Sequence, residues 1–565
     1  MRVSSWGLIV GPSWNSVGVA VGRWRTGNVE RQRDFGVLAR AQKEKDGDST
    51  AKKVVVVGGG WAGFAAAKHL SEQDGIQVTL LDAQENPGGL STAFLTKQGR
   101  EIEAGVKGFW EDYPNIQALC DELEIQPMTD FLTSGFWALP EDEGSAGVLV
   151  TEAPVFSSKP QLPTILGQFF FTSPLFYRLS LADRATIIPW LYDVINFAKD
   201  ETTYKEYDSM SAREMFKRAG VSDNAYEYFL KPTLAVGLFA PPEELSAAVT
   251  LELLCFYALN SQNSFDVRWC KGSIAKKIFG PLVDLISKQG GTILGSRFVT
   301  QVEVCEETNS VRISAINNAL KKPKVECIEA DAVCFALSIS GMKKIISSSP
   351  SLANKPEFQG IMNLRSIDCI ATRIWFDQFL PTRFPANVLA NFEPCGATYF
   401  NTTEMQGKSD GDPGTVISAD FYGASALLPL SDEEIVSKVY SNICKCDPIF
   451  RDAMIVDSAV LRFTNAVTHF SPGSYAHRPR QATSSPAIVL AGDYVKDVPH
   501  GANGLSQERA WVTGLLAANM ILDFFQMDGM ARVYPSHEDE PHIALAKQIN
   551  KTASSAFSFL PKSTF

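Results

Sequence analysis

The chain has 565 residues, 45% hydrophobic and 20% charged, which is ample core for a two-domain protein and unlike a disordered or fibrous chain. A formal net charge of -11 argues against a nucleic-acid binder, which needs a basic face to collect phosphates. The ten cysteines include no Cys-x-x-Cys pair and several sit in apolar runs such as Val333-Cys334-Phe335, so they read as reduced, buried thiols; Cys444-x-Cys446 alone is poor ligand geometry, and no metal site is expected.

Residues 1–42 carry six arginines against Glu30 and Asp34, with serines, glycines and tryptophans, a composition that suits an organelle transit peptide; a disordered extension is the alternative. Residues 43–51 read as a linker. No uninterrupted apolar run reaches the ~18 residues of a spanning helix, so no transmembrane helix is expected and any membrane contact is peripheral and hydrophobic.

Val54–Val57 reads as a buried parallel strand, and Gly58, Gly60 and Gly63 fit G-x-G-x-x-G at the turn into a helix Trp61–Glu72. The glycines provide a tight turn, close backbone approach to phosphate and close helix–strand packing, while free N–H groups and the helix dipole at Trp61 and Ala62 favour a pyrophosphate. A second strand, Gln77–Leu81, ends at Asp82, at the spacing expected of the carboxylate that accepts ribose hydroxyls. Asn86-Pro87-Gly88-Gly89 then lets the backbone pass close to a flat or phosphorylated ligand. Nicotinamide dehydrogenases do not need that feature.

Prolines 154, 160, 163 and 174 between aromatic clusters make Ala153–Leu181 an apolar loop or lid. Ala182–Lys199 is predicted as one helix with Ile187, Trp190, Leu191, Val194, Ile195 and Phe197 mainly on one side, either core-facing or part of a membrane-dipping entrance. Leu230–Ser246 is an apolar helix stopped by Pro241-Pro242, with a Leu, Val and Phe lining suited to a long hydrocarbon or to core packing. A helix Ile274–Gln289, a strand Arg297–Val304 and a strand Ala330–Ala336 follow. Near the other end, strand Val489–Gly492 precedes Asp493, then Gly501–Gly504 and a helix Leu505–Phe525. Asp493 is placed to accept a hydroxyl hydrogen bond from a ribityl or phosphate arm, and the helix N-terminus at Gly504 and Leu505 to stabilise negative charge on a flavin N1/O2 edge. With the glycine turn so far away in sequence, the dinucleotide is FAD.

The segments Asp82–Gly89, Ile102-Glu103-Ala104-Gly105, Tyr113-Pro114-Asn115, Leu230–Ser246, Ala466–Gly473 and Gly492-Asp493 resemble the FAD-dependent amine oxidase superfamily and, within it, the plant and cyanobacterial carotenoid desaturases. The resemblance covers most of residues 52–525. It implies an α/β (α+β) two-domain fold: a discontinuous Rossmann-like FAD-binding domain of the glutathione-reductase type, 52–135, 270–345 and 455–525, an interleaved substrate or lid domain, 136–269 and 346–454, and a tail, 526–565. It also implies that Gly88 and Gly89 lie by the flavin, that the Glu-x-Gly segment lines the ring site, and that Val299 bonds the adenine through its backbone.

The expected activity is oxidation of a long apolar polyene such as a carotene by hydride transfer to flavin N5, in a plastid, with a quinone or O2 as final acceptor. Glu103 and Lys107 are candidates for shaping charge at the ring, or ordinary domain-surface residues. Three departures weaken the match: Leu90 and Lys107 where desaturases commonly carry a basic residue and a histidine, and Glu508-Arg509-Ala510 where they carry Glu-Gly-Ala. Alternatives are a flavin-containing amine oxidase, with Tyr475, Tyr494 and Lys496 as a cage, a non-redox carotenoid isomerase, and a flavin-binding protein with a decayed redox site.

Overall fold

The computed structural model describes residues 51–556, apart from 143–144, 198–199, 306, 309, 409–410, 499–503 and 537–539. The expected transit peptide, nearly all of the linker and Gly501–Asn503 lie outside the described residues.

Strand Lys52–Val57 is the centre of a five-stranded parallel sheet in the order 488–490, 332–335, 52–57, 76–81, 292–294. Its valines alternate by the strand period of two: Val54 and Val56 enter one core with helix Trp61–Ser71 and helix Gln507–Phe524, and Val55 and Val57 enter the core on the other face. The two helices cross closely because Gly514 has no side chain; a Cβ there would lie 2.1 Å from the carbonyl oxygen of Ala62. Beside this sheet lies a three-stranded antiparallel sheet, 297–305, 310–317 and 324–330.

The second body is a seven-stranded sheet in the order 455–469, 365–376, 416–422, 396–401, 386–390, 134–138, 148–153, antiparallel except for one parallel pair. Against it packs a helical block whose buried core includes Trp190, Val194, Leu234, Leu238, Leu251 and Leu253. The chain thus passes repeatedly between the two bodies, as the interleaved arrangement requires.

Several expectations change. Strand Ile455–His469, expected in the FAD-binding part, pairs along Arg365–Phe376 in the seven-stranded sheet. Residues 346–364, expected in the substrate part, instead bury Leu352, Phe358, Ile361 and Leu364 against the parallel sheet. The single helix at 182–199 is two, Leu181–Ala185 and Ile188–Asn196, because Pro189 fits only a first helical turn. The tail carries a helix, Pro541–Ala556, that packs against Ile188–Asn196 and is tied by Glu540, which accepts from the N–H and hydroxyl of Thr164. No helix among the described residues is long and apolar enough to cross a membrane.

Candidate active site

The glycine turn stands at the carboxyl ends of the parallel strands, where open α/β sheets bind ligands. Two of its glycines are structural by necessity: a Cβ on Gly58, whose φ is +104°, would meet the Ala336 carbonyl oxygen at 2.3 Å, and one on Gly63 would meet the Gly58 carbonyl oxygen at 1.8 Å. Gly60 is different. It precedes helix Trp61–Ser71 with extended backbone, and a Cβ there would meet no atom within 4 Å, leaving a cradle over the helix N-terminus. The Gly88-Gly89 turn crosses beside it, with the Cβ position of Gly89 3.2 Å from the Gly60 Cα. The Trp61 indole N–H, donating to Ser91 Oγ at 3.0 Å, fixes the two turns together. An open cradle of backbone N–H groups at a helix start fits the pyrophosphate of FAD.

Asp82 sits at the end of its strand as expected, with its carboxylate spanning the turn: Oδ2 accepts from the Gly59 N–H at 2.6 Å and Oδ1 from the Gln84 N–H at 2.7 Å. Burial raises its pKa. Val299 lies, buried, on the outer strand of the three-stranded sheet, where Ser348, Ser349 and Ser351 cap the backbone at Thr300 and Val302. Gly492 donates its N–H to Thr513 Oγ1, and the Asp493 carboxylate accepts from the Thr468 hydroxyl. Gly504 and Leu505 face the helical block rather than opening the C-terminal helix: that helix begins at Gln507, capped by Ser506, and a Cβ on Gly504 would meet Leu238 at 2.7 Å.

The departure at Arg509 has a structural explanation. Its buried guanidinium donates to the carbonyls of Asp493 and Val495, and Arg478 donates to those of Tyr494 and Val495, so two arginines clamp the loop that follows Asp493. Burial is the chief cause, with the neighbouring Arg478 next, that pulls the Arg509 pKa down to about 10. Glu508, the first residue of the same triplet, is fully buried and accepts from the N–H groups of Asn115 and Ile116 and from the Asn115 side chain, anchoring helix Pro114–Glu122. Tyr475, Tyr494 and Lys496 form no cage: Tyr494 is in the core beneath the parallel sheet and Tyr475 in that of the helical block.

Glu103 and Lys107 meet Arg373 of the seven-stranded sheet at a small cleft between the bodies, with the carboxylate of Asp420, from the same sheet, close enough to act on Lys107. Register explains the encounter: Arg373 is paired with Ser418, two residues from Asp420 on the same strand face. Asp420 accepts from the Val106 N–H at 2.9 Å and lies against Gly105, where a Cβ would come within 2.9 Å of its carboxylate. Glu103 accepts from the Ile274 N–H at 3.0 Å, and Lys107 donates to the carbonyls of Ala104 and Gly105. Burial pushes Glu103 up to about 7, Asp420 up to about 6, and Lys107 and Arg373 down. Gln406 completes the rim, donating to the Cys270 carbonyl. No sequence motif marks Arg373, Asp420 or Gln406; strand pairing brings the first two here, and the short helix Thr402–Gln406 brings the third. Apolar surface adjoins the charge, with Phe239 on Tyr422 at 4.3 Å between ring centres.

A glycine cradle on a parallel sheet, a returning C-terminal strand and an interleaved second sheet define an FAD-dependent oxidoreductase of two-domain type. Residues 61–522 match the flavin containing amine oxidoreductase family, and the chain belongs to it. Among its curated relatives, the 15-cis-phytoene desaturase of Glycine max is 24% identical over 83% of this chain and 79% of its own length, and that of Synechococcus elongatus is 22% identical over 83% and 96%. In fold, the chain is similar to a putrescine oxidase solved with putrescine (TM-score 0.62, 13% identity, 84% of this chain and 99% of that one). It is also similar to cyclohexylamine oxidase from Brevibacterium oxydans (TM-score 0.60, 15% identity, 84% and 100%).

Proposed function

We propose that this oxidoreductase desaturates a long apolar polyene of the carotene class, entering from a membrane surface. The observation that supports this most is the apolar helical block and its exposed edge: Leu166, Phe169, Phe170, Leu181 and Ile188 are each more than half exposed, over a core of aliphatic and aromatic side chains. Such a patch on a water-soluble protein marks a binding surface. The desaturase relatives point to the same substrate class.

In this reading Gly60, Trp61 and Ala62 hold the pyrophosphate of FAD in a turn that Gly58 and Gly63 shape, Asp82 holds the ribose, Val299 the adenine, and Gly88, Gly89, Gly492, Asp493, Gly504 and Leu505 the flavin half. When bound, FAD would supply a two-electron acceptor for a C–H bond, with a quinone or O2 as the proposed final acceptor. The chain's own contribution is to exclude water, to hold the polyene against the apolar block, and to set the charge around Glu103 and Lys107. The composition of residues 1–42 favours a plastid membrane as the place of action.

The test is anaerobic bleaching of the flavin absorbance of the purified enzyme in liposomes carrying phytoene, ζ-carotene or prolycopene, with pigment analysis afterwards and spermine and tyramine as controls. Bleaching with a polyene and a product with one more double bond is the expected result. Bleaching by an amine alone overturns the reading, and a changed isomer without bleaching replaces desaturation by isomerisation.

A further inference from the structure

The segment after helix Gln507–Phe524 fastens one part of the molecule to another. Its root is fixed to the FAD-binding part by two paired amide contacts: Asn519 exchanges two hydrogen bonds with the backbone of Ala531, and Asn115, itself held by Glu508, exchanges two with the backbone of Tyr534. Its far end grips the helical block at one buried residue, Thr164, 1% exposed. The Glu540 carboxylate accepts from the N–H and hydroxyl of Thr164, and His542 Nε2 lies 3.3 Å from the Thr164 carbonyl oxygen. All three polar groups of Thr164 are therefore engaged by the tail. Ile543 is buried as well, where helix Pro541–Ala556 packs on Ile188–Asn196.

The grip falls beside a strained residue. Ile165 has φ +72° and ψ −49°, near the γ-turn conformation that is rare for any side chain and worst for a β-branched one. Such a conformation persists only where its surroundings over-determine it. Here those surroundings are the tail on Thr164 and the side chain of Gln168, whose Oε1 accepts from the Ile165 N–H at 2.6 Å. Ile165 starts the helix Leu166–Thr172, on which Leu166, Phe169 and Phe170 are exposed. That helix meets strand Val148–Ala153 beside an aromatic seam, in which Phe176 packs on Phe229 and Phe229 on Phe136. From Phe229 the chain runs into helix Lys231–Leu238, which lies on strands Ala386–Ala390 and Gly396–Asn401. It ends at Phe239 on Tyr422, two residues from Asp420.

We propose that the tail is a latch: Glu540, His542 and Ile543 hold helix Leu166–Thr172 shut over this seam. Release of the tail lets Ile165 leave its strained conformation, and the helix swings out as a gate. The identity of what then enters, a polyene, rests on the function proposed above, whereas the latch rests only on the contacts of the tail.

The experiment is hydrogen–deuterium exchange of the full-length, flavin-loaded protein without substrate or lipid, comparing wild type with Glu540→Ala and Ile543→Ser. In both variants the amides of Leu166–Thr172 and of Pro541–Ala556 are expected to exchange at least tenfold faster, while Trp61–Ser71, flavin content and melting temperature stay as in wild type. The Leu166–Thr172 amides make none of the deleted contacts, so a loss confined to the tail leaves them unmoved. Faster exchange in the tail alone, or in neither segment, overturns the latch. Should one variant lose flavin or unfold, the other carries the test, with Thr164→Val, which removes only the hydroxyl, as a milder third. In the liposome assay the variants are expected to speed initial bleaching at limiting phytoene at least threefold; an unchanged rate with a mobile gate overturns its part in entry. Absence of bleaching by any polyene, in wild type as in the variants, fails the proposed substrate and leaves exchange alone to decide the latch.

Discussion

Gly60 and Gly63, three residues apart in one motif, separate ligand binding from folding. Alanine at Gly60 adds a Cβ to open space with ordinary backbone geometry, so the apoprotein keeps its melting temperature while FAD affinity falls at least tenfold, about 1.4 kcal/mol, measured by flavin fluorescence titration. Alanine at Gly63 drives a Cβ into a backbone oxygen and is expected to cost about 3 kcal/mol of stability, at the upper end of overpacking penalties, seen as a lower denaturation midpoint with or without added FAD. Glu103 makes a pH prediction. Its native pKa is raised to about 7 from 4.5, so between those values the native state holds a proton that the unfolded chain has released. The stability it contributes is complete below pH 4.5, declines as pH rises, and is gone above 7. Glu103→Gln should flatten that part of a plot of denaturation midpoint against pH; an unchanged slope would locate the titration elsewhere.

The helices show where sequence reading reaches and where it stops. Strand Lys52–Val57 and helix Trp61–Ser71 were legible because their signals are local: four valines, three glycines at fixed spacing, an alanine-rich first turns region. Val299 falls on the expected strand, and Asp82 directly follows its own, for the same reason. What local pattern does not carry is partnership across hundreds of residues. Glu508 stands out in the sequence only as part of the triplet Glu508-Arg509-Ala510, yet it is the anchor of helix Pro114–Glu122, and only the crossing of distant elements reveals that. Glu508→Ala leaves the Asn115 and Ile116 N–H groups without their buried acceptor and is expected to lower stability by about 2–4 kcal/mol, measured by chemical denaturation. Arg373 and Asp420 escaped for a related reason: both sit in β-rich apolar runs, where nothing in the sequence distinguishes a charge facing a cleft from one facing solvent.

For the molecule as a whole, the exposed edge of the helical block gives the simplest physical test of membrane docking. Removing Phe169 and Phe170 together, as Phe169→Ser with Phe170→Ser, deletes two anchors worth about 1.5–3 kcal/mol each if fully buried in lipid. Cosedimentation with liposomes should fall at least tenfold while flavin content and melting temperature hold. Wild-type sedimentation by the double variant would remove the patch from the docking account. The interleaved connectivity has a consequence for biogenesis. The parallel sheet that carries the FAD cradle opens with Lys52 and is completed only by the strand Ile488–Leu490, more than four hundred residues later. At synthesis rates of about 5–20 residues per second, the first glycine turn waits roughly 20–90 s on the ribosome with its sheet unfinished and its valines uncovered. Flavin therefore joins the chain late, once the last strand of its sheet has been made.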